Sequence, residues 1–140
     1  MPVLGTAAEQ FFKTETATLS CEDIRFIIQV QVKSQSVPAL LVPRRNAQGL
    51  LCGETVFALS SDYKTILGEG RSKAAREGFY MAQRGEGEVL MIADTLLDAK
   101  LLAVREPSAT VILARAEEYE KLQSYLSAQD LKPTKSHCII

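Results

Sequence analysis

The chain has 140 residues, of which 46% are apolar and 24% charged, with a formal net charge of -1. These values fit one globular domain burying roughly two thirds of its extended-chain surface, and they exclude a disordered or fibrous chain. Near-neutral charge also excludes a broad nucleic-acid-binding face, which needs clustered Lys and Arg, while leaving room for a local basic patch.

Residues 1–50 read as an irregular N-terminal region and 53–140 as an α/β core, without internal repeats or low-complexity tracts. Thr6 is placed to cap a short helix through Lys13, and Ser20 with Asp23 form a capping-box-like start to another. Phe26, Ile28, Val30 and Val32 nevertheless alternate with Ile27, Gln29 and Gln31, which is strand spacing. The segment from Cys21 to Lys33 therefore reads both ways, with the cap leaning towards a helical start. Pro38 and Pro43 bracket the apolar Ala39-Leu40-Leu41-Val42, and Arg44-Arg45-Asn46-Ala47-Gln48-Gly49 reads as an exposed basic loop.

Thr55-Val56-Phe57-Ala58-Leu59 and Tyr63-Lys64-Thr65-Ile66-Leu67 are strand-like and joined by Ser60-Ser61-Asp62, a hairpin that Gly68-Glu69-Gly70 would end. Ser72 would then cap a helix to about Arg84, stopped by Gly85-Glu86-Gly87. Val89-Leu90-Met91-Ile92-Ala93 has the continuous apolar pattern of a strand buried on both faces. Asp94 or Thr95 caps a helix to about Val104, Pro107 breaks the chain, and Thr110-Val111-Ile112-Leu113 is another buried strand. Ala116 to Ala128 is helical, with Tyr119, Leu122, Tyr125 and Leu126 on its apolar face, and Ser136 to Ile140 is read as a last strand. The expected fold is α/β: a mixed sheet opening with a β-hairpin, then helix-strand alternation in a layered sandwich.

This order over residues 53–140 resembles the cytidine-deaminase-like superfamily in topology. In deaminases the helix after the hairpin opens with His-Ala-Glu or Cys-Ala-Glu, the next opens with Pro-Cys-x-x-Cys, and together they hold zinc. Here those places hold Arg71-Ser72-Lys73-Ala74-Ala75-Arg76-Glu77 and Asp94-Thr95-Leu96-Leu97-Asp98, and the single His is His137. The resemblance thus implies a deaminase-like fold without the zinc ligands or the chemistry, and no metal or cofactor is expected. Gly68-Glu69-Gly70-Arg71-Ser72-Lys73-Ala74-Ala75-Arg76 is also similar to the end of a double-stranded-RNA-binding domain, with one basic position lost or the spacing shortened by one.

Candidate ligand-binding residues follow from the helix starts. Gly68, Gly70, Arg71, Ser72 and Lys73 combine a close-approach backbone with two cations, while Glu69 works against an anion there; the stretch also reads simply as a turn and a cap. It is not a Walker A loop. Parallel strands feeding helices would gather this stretch with Asp94, Thr95, Asp98 and Arg115 to Glu118 along one sheet edge, where open α/β folds bind ligands. Asp and Thr at helix starts need no reason beyond capping.

No apolar run approaches the ~20 residues that cross a bilayer, so no membrane association is expected. Met1-Pro2-Val3-Leu4-Gly5 lacks the pattern of a signal peptide. Cys21, Cys52 and Cys138 are far apart and suit reduced thiols in a cytoplasmic protein, and Cys138-Ile139-Ile140 is one residue short of a prenylation box. These features point to a non-catalytic binding domain for a small ligand or a protein partner, with a leftover apolar sheet face favouring a homo-oligomer. The alternatives are an RNA-binding protein using the Gly68–Arg76 helix start and the Arg44-Arg45 loop, and a metal-independent enzyme using Lys73 with Asp94 or Asp98.

Overall fold

Alternation of apolar side chains governs the first half of the chain. The computed structural model describes residues 1–14, 19–32, 34–129 and 135–139. Strands β1 (Arg25–Val32), β2 (Gln35–Arg45), β3 (Leu51–Leu59) and β4 (Ile66–Arg71) form an antiparallel sheet in chain order. Phe26, Leu40 and Phe57 are in register across β1, β2 and β3 and buried, so the alternate positions of these strands make one core face. The open question between helix and strand at Cys21 to Lys33 resolves as strand from Arg25, with Lys33 outside the described residues. β1 carries one extra residue between Ile27 and Val30, a bulge opposite Pro38, whose missing N–H cannot serve a regular ladder.

The second half builds a mixed sheet of β5 (Tyr80–Gln83), β6 (Val89–Ala93), β7 (Thr110–Leu113) and β8 (Lys135–Ile139) in the order β5-β7-β6-β8. β6 runs parallel to both β7 and β8, and β5 runs antiparallel to β7. Helices α1 (Leu96–Arg105) and α2 (Tyr119–Ala128) lie where strand-helix alternation places them. Thr95 caps α1 by accepting from Asp98 N at 3.1 Å, and Leu96, Ala99 and Leu102 bury its inner face. Each of those two leucines contributes about 1.5–3 kcal/mol by leaving water. α2 buries Leu122, Tyr125 and Leu126 after a 3₁₀ turn at Ala116–Glu118. The fold is therefore α/β and opens with a hairpin. The hairpin belongs, however, to an antiparallel sheet separate from the mixed one.

Four local expectations are corrected. No helix runs from Ser72 to Arg84; a 3₁₀ turn at Ala75–Glu77 leads into β5. The Ala-rich start favours helix locally, but Gly78 is extended (φ -135°, ψ -177°) and lies against β2, where an added Cβ would meet Arg45 O at 2.4 Å. Phe79 and Arg45 then exchange backbone hydrogen bonds of 3.0 Å, pinning one sheet to the other. Tertiary pairing outweighs helix propensity here. Gly68-Glu69-Gly70 lies inside β4 instead of ending the hairpin; the turn spans Ser60 to Thr65, with Tyr63 left-handed at φ 61°.

Arg44 and Arg45 belong to β2 and not to a basic loop, and Arg44 is buried. The loop that follows is closed by Asn46 Oδ1 accepting from Gln48 N and Leu50 N, with Gly49 at φ 80°. The N-terminal helix is 3₁₀, Ala7–Phe12, and the Thr6 hydroxyl donates back to Val3 O at 2.7 Å instead of capping it. Among the described residues no helix is long and apolar enough to cross a membrane.

Candidate functional site

The carboxyl ends of β6 and β7 meet the inner face of the first sheet in a narrow cleft. β6 delivers Asp94, the chain after β7 delivers Arg115 and Glu118, β2 delivers Arg44, β3 delivers Thr55, and β4 delivers Glu69 and Arg71. Strand alternation aims the first-sheet residues inward: Thr55 pairs with Val42 and Arg71, and Phe57 pairs with Glu69. The free space is about 10 Å³, the room of one water-sized group.

Arg44 is 2% exposed and uses all three of its nitrogens as donors. Nε donates to Ala75 O at 2.8 Å, Nη1 to Thr55 Oγ1 at 3.2 Å, and Nη2 to Gly78 O and Glu118 Oε2, both at 2.6 Å. Its guanidinium also lies 5.5 Å from the centre of the Phe79 ring. Glu118 Oε1 accepts from Arg71 at 3.3 Å and from Arg115 N at 3.2 Å. Glu69 pairs with Arg115, and Arg71 lies 3.9 Å from Glu69 and 3.8 Å from Glu117. Three guanidinium groups (Arg44, Arg71, Arg115) and three carboxylates (Glu69, Asp94, Glu118) line the cleft, a formal balance of charge, with the exposed Glu117 outside it against Arg71. Asp94 Oδ1 is shielded from solvent and has no hydrogen-bond partner among the described residues. An acceptor in that state costs about 1–3 kcal/mol unless something donates to it.

Of the residues expected at this edge, Arg71, Asp94, Arg115 and Glu118 come together. Gly68 and Gly70 pair with Ala58 and Val56 and face a broad groove on the outer side of the first sheet, as does Ser72. The Ser72 hydroxyl accepts from Ala75 N at 3.2 Å in the turn that leads into the 3₁₀ segment. Lys73 is exposed and lines neither concavity. Thr95 and Asp98 are joined in the α1 cap and stay outside the cleft. The basic helix start at Gly68–Arg76 does not form, and Arg71 is committed to glutamates.

Sequence reading missed Arg44, Thr55 and Glu69 as cleft residues. For Arg44 a signal existed: Leu40, Val42 and Arg44 share one parity, so an Arg read as loop falls on the core face.

Cys21 and Cys52 are free thiols away from the cleft; burial pushes Cys21 above its usual value, and Glu9 adds to that. His137 and Cys138 fall in β8. Among the described residues no three His, Cys, Asp or Glu side chains are grouped to hold a metal ion. Comparison with protein-family models, curated proteins and solved structures found no match.

Proposed function

We propose that this chain is a non-catalytic α/β binding domain that takes a small ligand at the cleft through a cationic or hydrogen-bond-donating group set against Asp94. The observation carrying this reading is the unpartnered, solvent-shielded Asp94 Oδ1 among arginines already matched to other carboxylates. A shielded acceptor is matched by a donor, so an ammonium or hydroxyl suits Asp94 Oδ1 better than an anion. The small free volume means that only the tip of the ligand enters, the remainder lying over the cleft mouth.

A binding role fits the composition of the cleft. Its lining contains no Cys, Ser, Lys or His, and its Thr55 hydroxyl already accepts from Arg44. In the deaminase-like reading, Asp94 stands just before the Thr95 cap of α1, at the helix start that holds Pro-Cys-x-x-Cys in that superfamily, while the other such helix start is a 3₁₀ turn here.

The test is a thermal-shift screen of small amines, amino acids and nucleosides, with titration calorimetry of the hits. Hits should vanish in Asp94→Asn and be recovered chemically unchanged after incubation. A panel without hits, hits that survive Asp94→Asn, or conversion of the ligand would each overturn the proposal.

A further inference from the structure

Beside the unpartnered acid at Asp94, the cleft holds a cation that its own carboxylates leave short. With Asp94 set aside, two lining carboxylates, Glu69 and Glu118, hold three guanidinium groups, those of Arg44, Arg71 and Arg115. Glu117 lies 3.8 Å from Arg71 but is exposed, where solvent screens its charge. An acceptor without a donor thus shares the cleft with one cation in surplus.

Exposure decides which arginine that is. The side chains of Arg44 and Arg71 are 3% and 18% exposed and both grip Glu118, whereas Arg115 is 42% exposed and holds Glu69 through Nη2. A guanidinium carries five N–H donors in a planar fork, so one such pair leaves donors over. Arg115 marks the mouth of the cleft and Asp94 Oδ1 its shielded end.

Strand pairing sets the two side by side. Ala93 of β6 is in register with Leu113 of parallel β7, and Ala114 N donates to Ala93 O at 2.8 Å. Asp94 and Arg115 follow at the ends of these neighbouring strands, whose axes lie about 4.8 Å apart.

A bare amine would answer Asp94 and leave Arg115 in surplus, and a bare acid would do the reverse. A molecule with an ammonium and a carboxylate on one carbon answers both, and it brings no net charge into a cleft already balanced. An ammonium is about the size of one water, the room that the cleft offers, and the carboxylate then stays at the mouth.

We propose that the ligand of this cleft is a free α-amino acid, its ammonium donating to Asp94 Oδ1 and its carboxylate held by the Arg115 fork. The assignment rests on Asp94 as the anchor proposed above, and it adds the class of ligand and the residue that selects it.

The experiment is a titration of the full chain with L-alanine, L-alaninamide, ethylamine and propionate, followed by backbone-amide NMR shifts. L-Alanine should give saturable shifts around Asp94 and Arg115. L-Alaninamide and ethylamine, which lack the carboxylate, should bind the same residues about tenfold more weakly, and propionate should not bind. Arg115→Gln should bring L-alanine down to the affinity of L-alaninamide and leave L-alaninamide unchanged. Arg115→Lys, which keeps the charge without the fork, should fall between the two. Amines that bind at Asp94 as tightly as L-alanine, or equal losses for L-alanine and L-alaninamide in Arg115→Gln, would overturn the amino-acid assignment and leave Asp94 as the anchor. Propionate binding as tightly as L-alanine would overturn it too. If neither L-alanine nor the amines shift the residues around Asp94, the anchor itself falls and the assignment falls with it.

Discussion

Arg44 and Glu118, 74 residues apart in the chain, meet at 2.6 Å with side chains 3% and 9% exposed, and through them β2 of one sheet holds the turn that starts α2 over the other. Both groups are satisfied by further hydrogen bonds, the condition under which a buried pair is tolerated.

Breaking this pair from one side should cost much more than replacing it whole. Arg44→Met should destabilise the chain by about 3–5 kcal/mol, because Glu118 loses its closest cation and Ala75 and Gly78 carbonyls lose a donor. Arg44→Met with Glu118→Leu should recover part of that loss. Urea denaturation of the two single variants and the double variant measures the coupling, and additive losses would show that the pair is not a unit.

Asp94→Asn should behave in the opposite way. Replacing a carboxylate whose Oδ1 is shielded and unpartnered should leave stability equal or raise it by about 1 kcal/mol. A residue kept for structure alone would lose stability on the same change. Thermal melts at neutral pH separate the two outcomes.

Gly78→Ala tests the step that replaced the expected helix. Its Cβ would meet Arg45 O at 2.4 Å and Cys52 Sγ at 2.6 Å, so the junction between the sheets must shift, at about 1–3 kcal/mol. If Ser72 to Arg84 were instead a helix, alanine would stabilise it. The sign of the change in melting temperature discriminates.

Tyr80 sets an alkaline limit. Burial, and then the charge and hydrogen bond of Asp23, hold its hydroxyl well above the usual value of 10.0. The raised folded value means that this contribution is fully present below pH 10 and declines as pH rises, when the unfolded chain ionises and the folded one does not. Melting temperature should therefore fall between about pH 10 and 11. Tyr80→Phe should lower stability by about 1.5–3 kcal/mol at pH 7, through loss of the bond to Asp23, and flatten the alkaline fall of the melting temperature. An unchanged alkaline slope in Tyr80→Phe would remove Tyr80 as the cause.

Much of the second half was legible because its signals are local. The apolar run of β6, the cap at Thr95 and the burial face of α2 all follow from neighbours in sequence. The same periodicity brought Asp94, Arg115 and Glu118 to one edge, because parallel strands place their carboxyl ends together, whereas Arg71 reaches it from β4 of the antiparallel sheet and not from the expected helix start. What escaped depends on distant partners. Ala74-Ala75-Arg76-Glu77 has helix-forming residues, and only the approach of Arg45 at Gly78 makes the following residues a strand. The parity of Leu40, Val42 and Arg44 pointed Arg44 at the core, but the carboxylate that answers its charge, Glu118, lies 74 residues away. The division into two sheets likewise depends on the bridge between Arg45 and Phe79.

The bulge in β1 bears on how this chain avoids its own copies. Phe26-Ile27-Ile28-Gln29-Val30-Gln31-Val32 is uncharged, rich in β-formers and free of Pro and Gly, the composition of segments that stack into fibrils. It forms an outer strand, with Ile28 59% exposed. The extra residue opposite Pro38 interrupts the even row of N–H and C=O groups that a second chain needs as a template. That interruption exists only while β2 is docked and holds Pro38 in place, so loss of the β1–β2 pairing exposes an even, fibril-forming row.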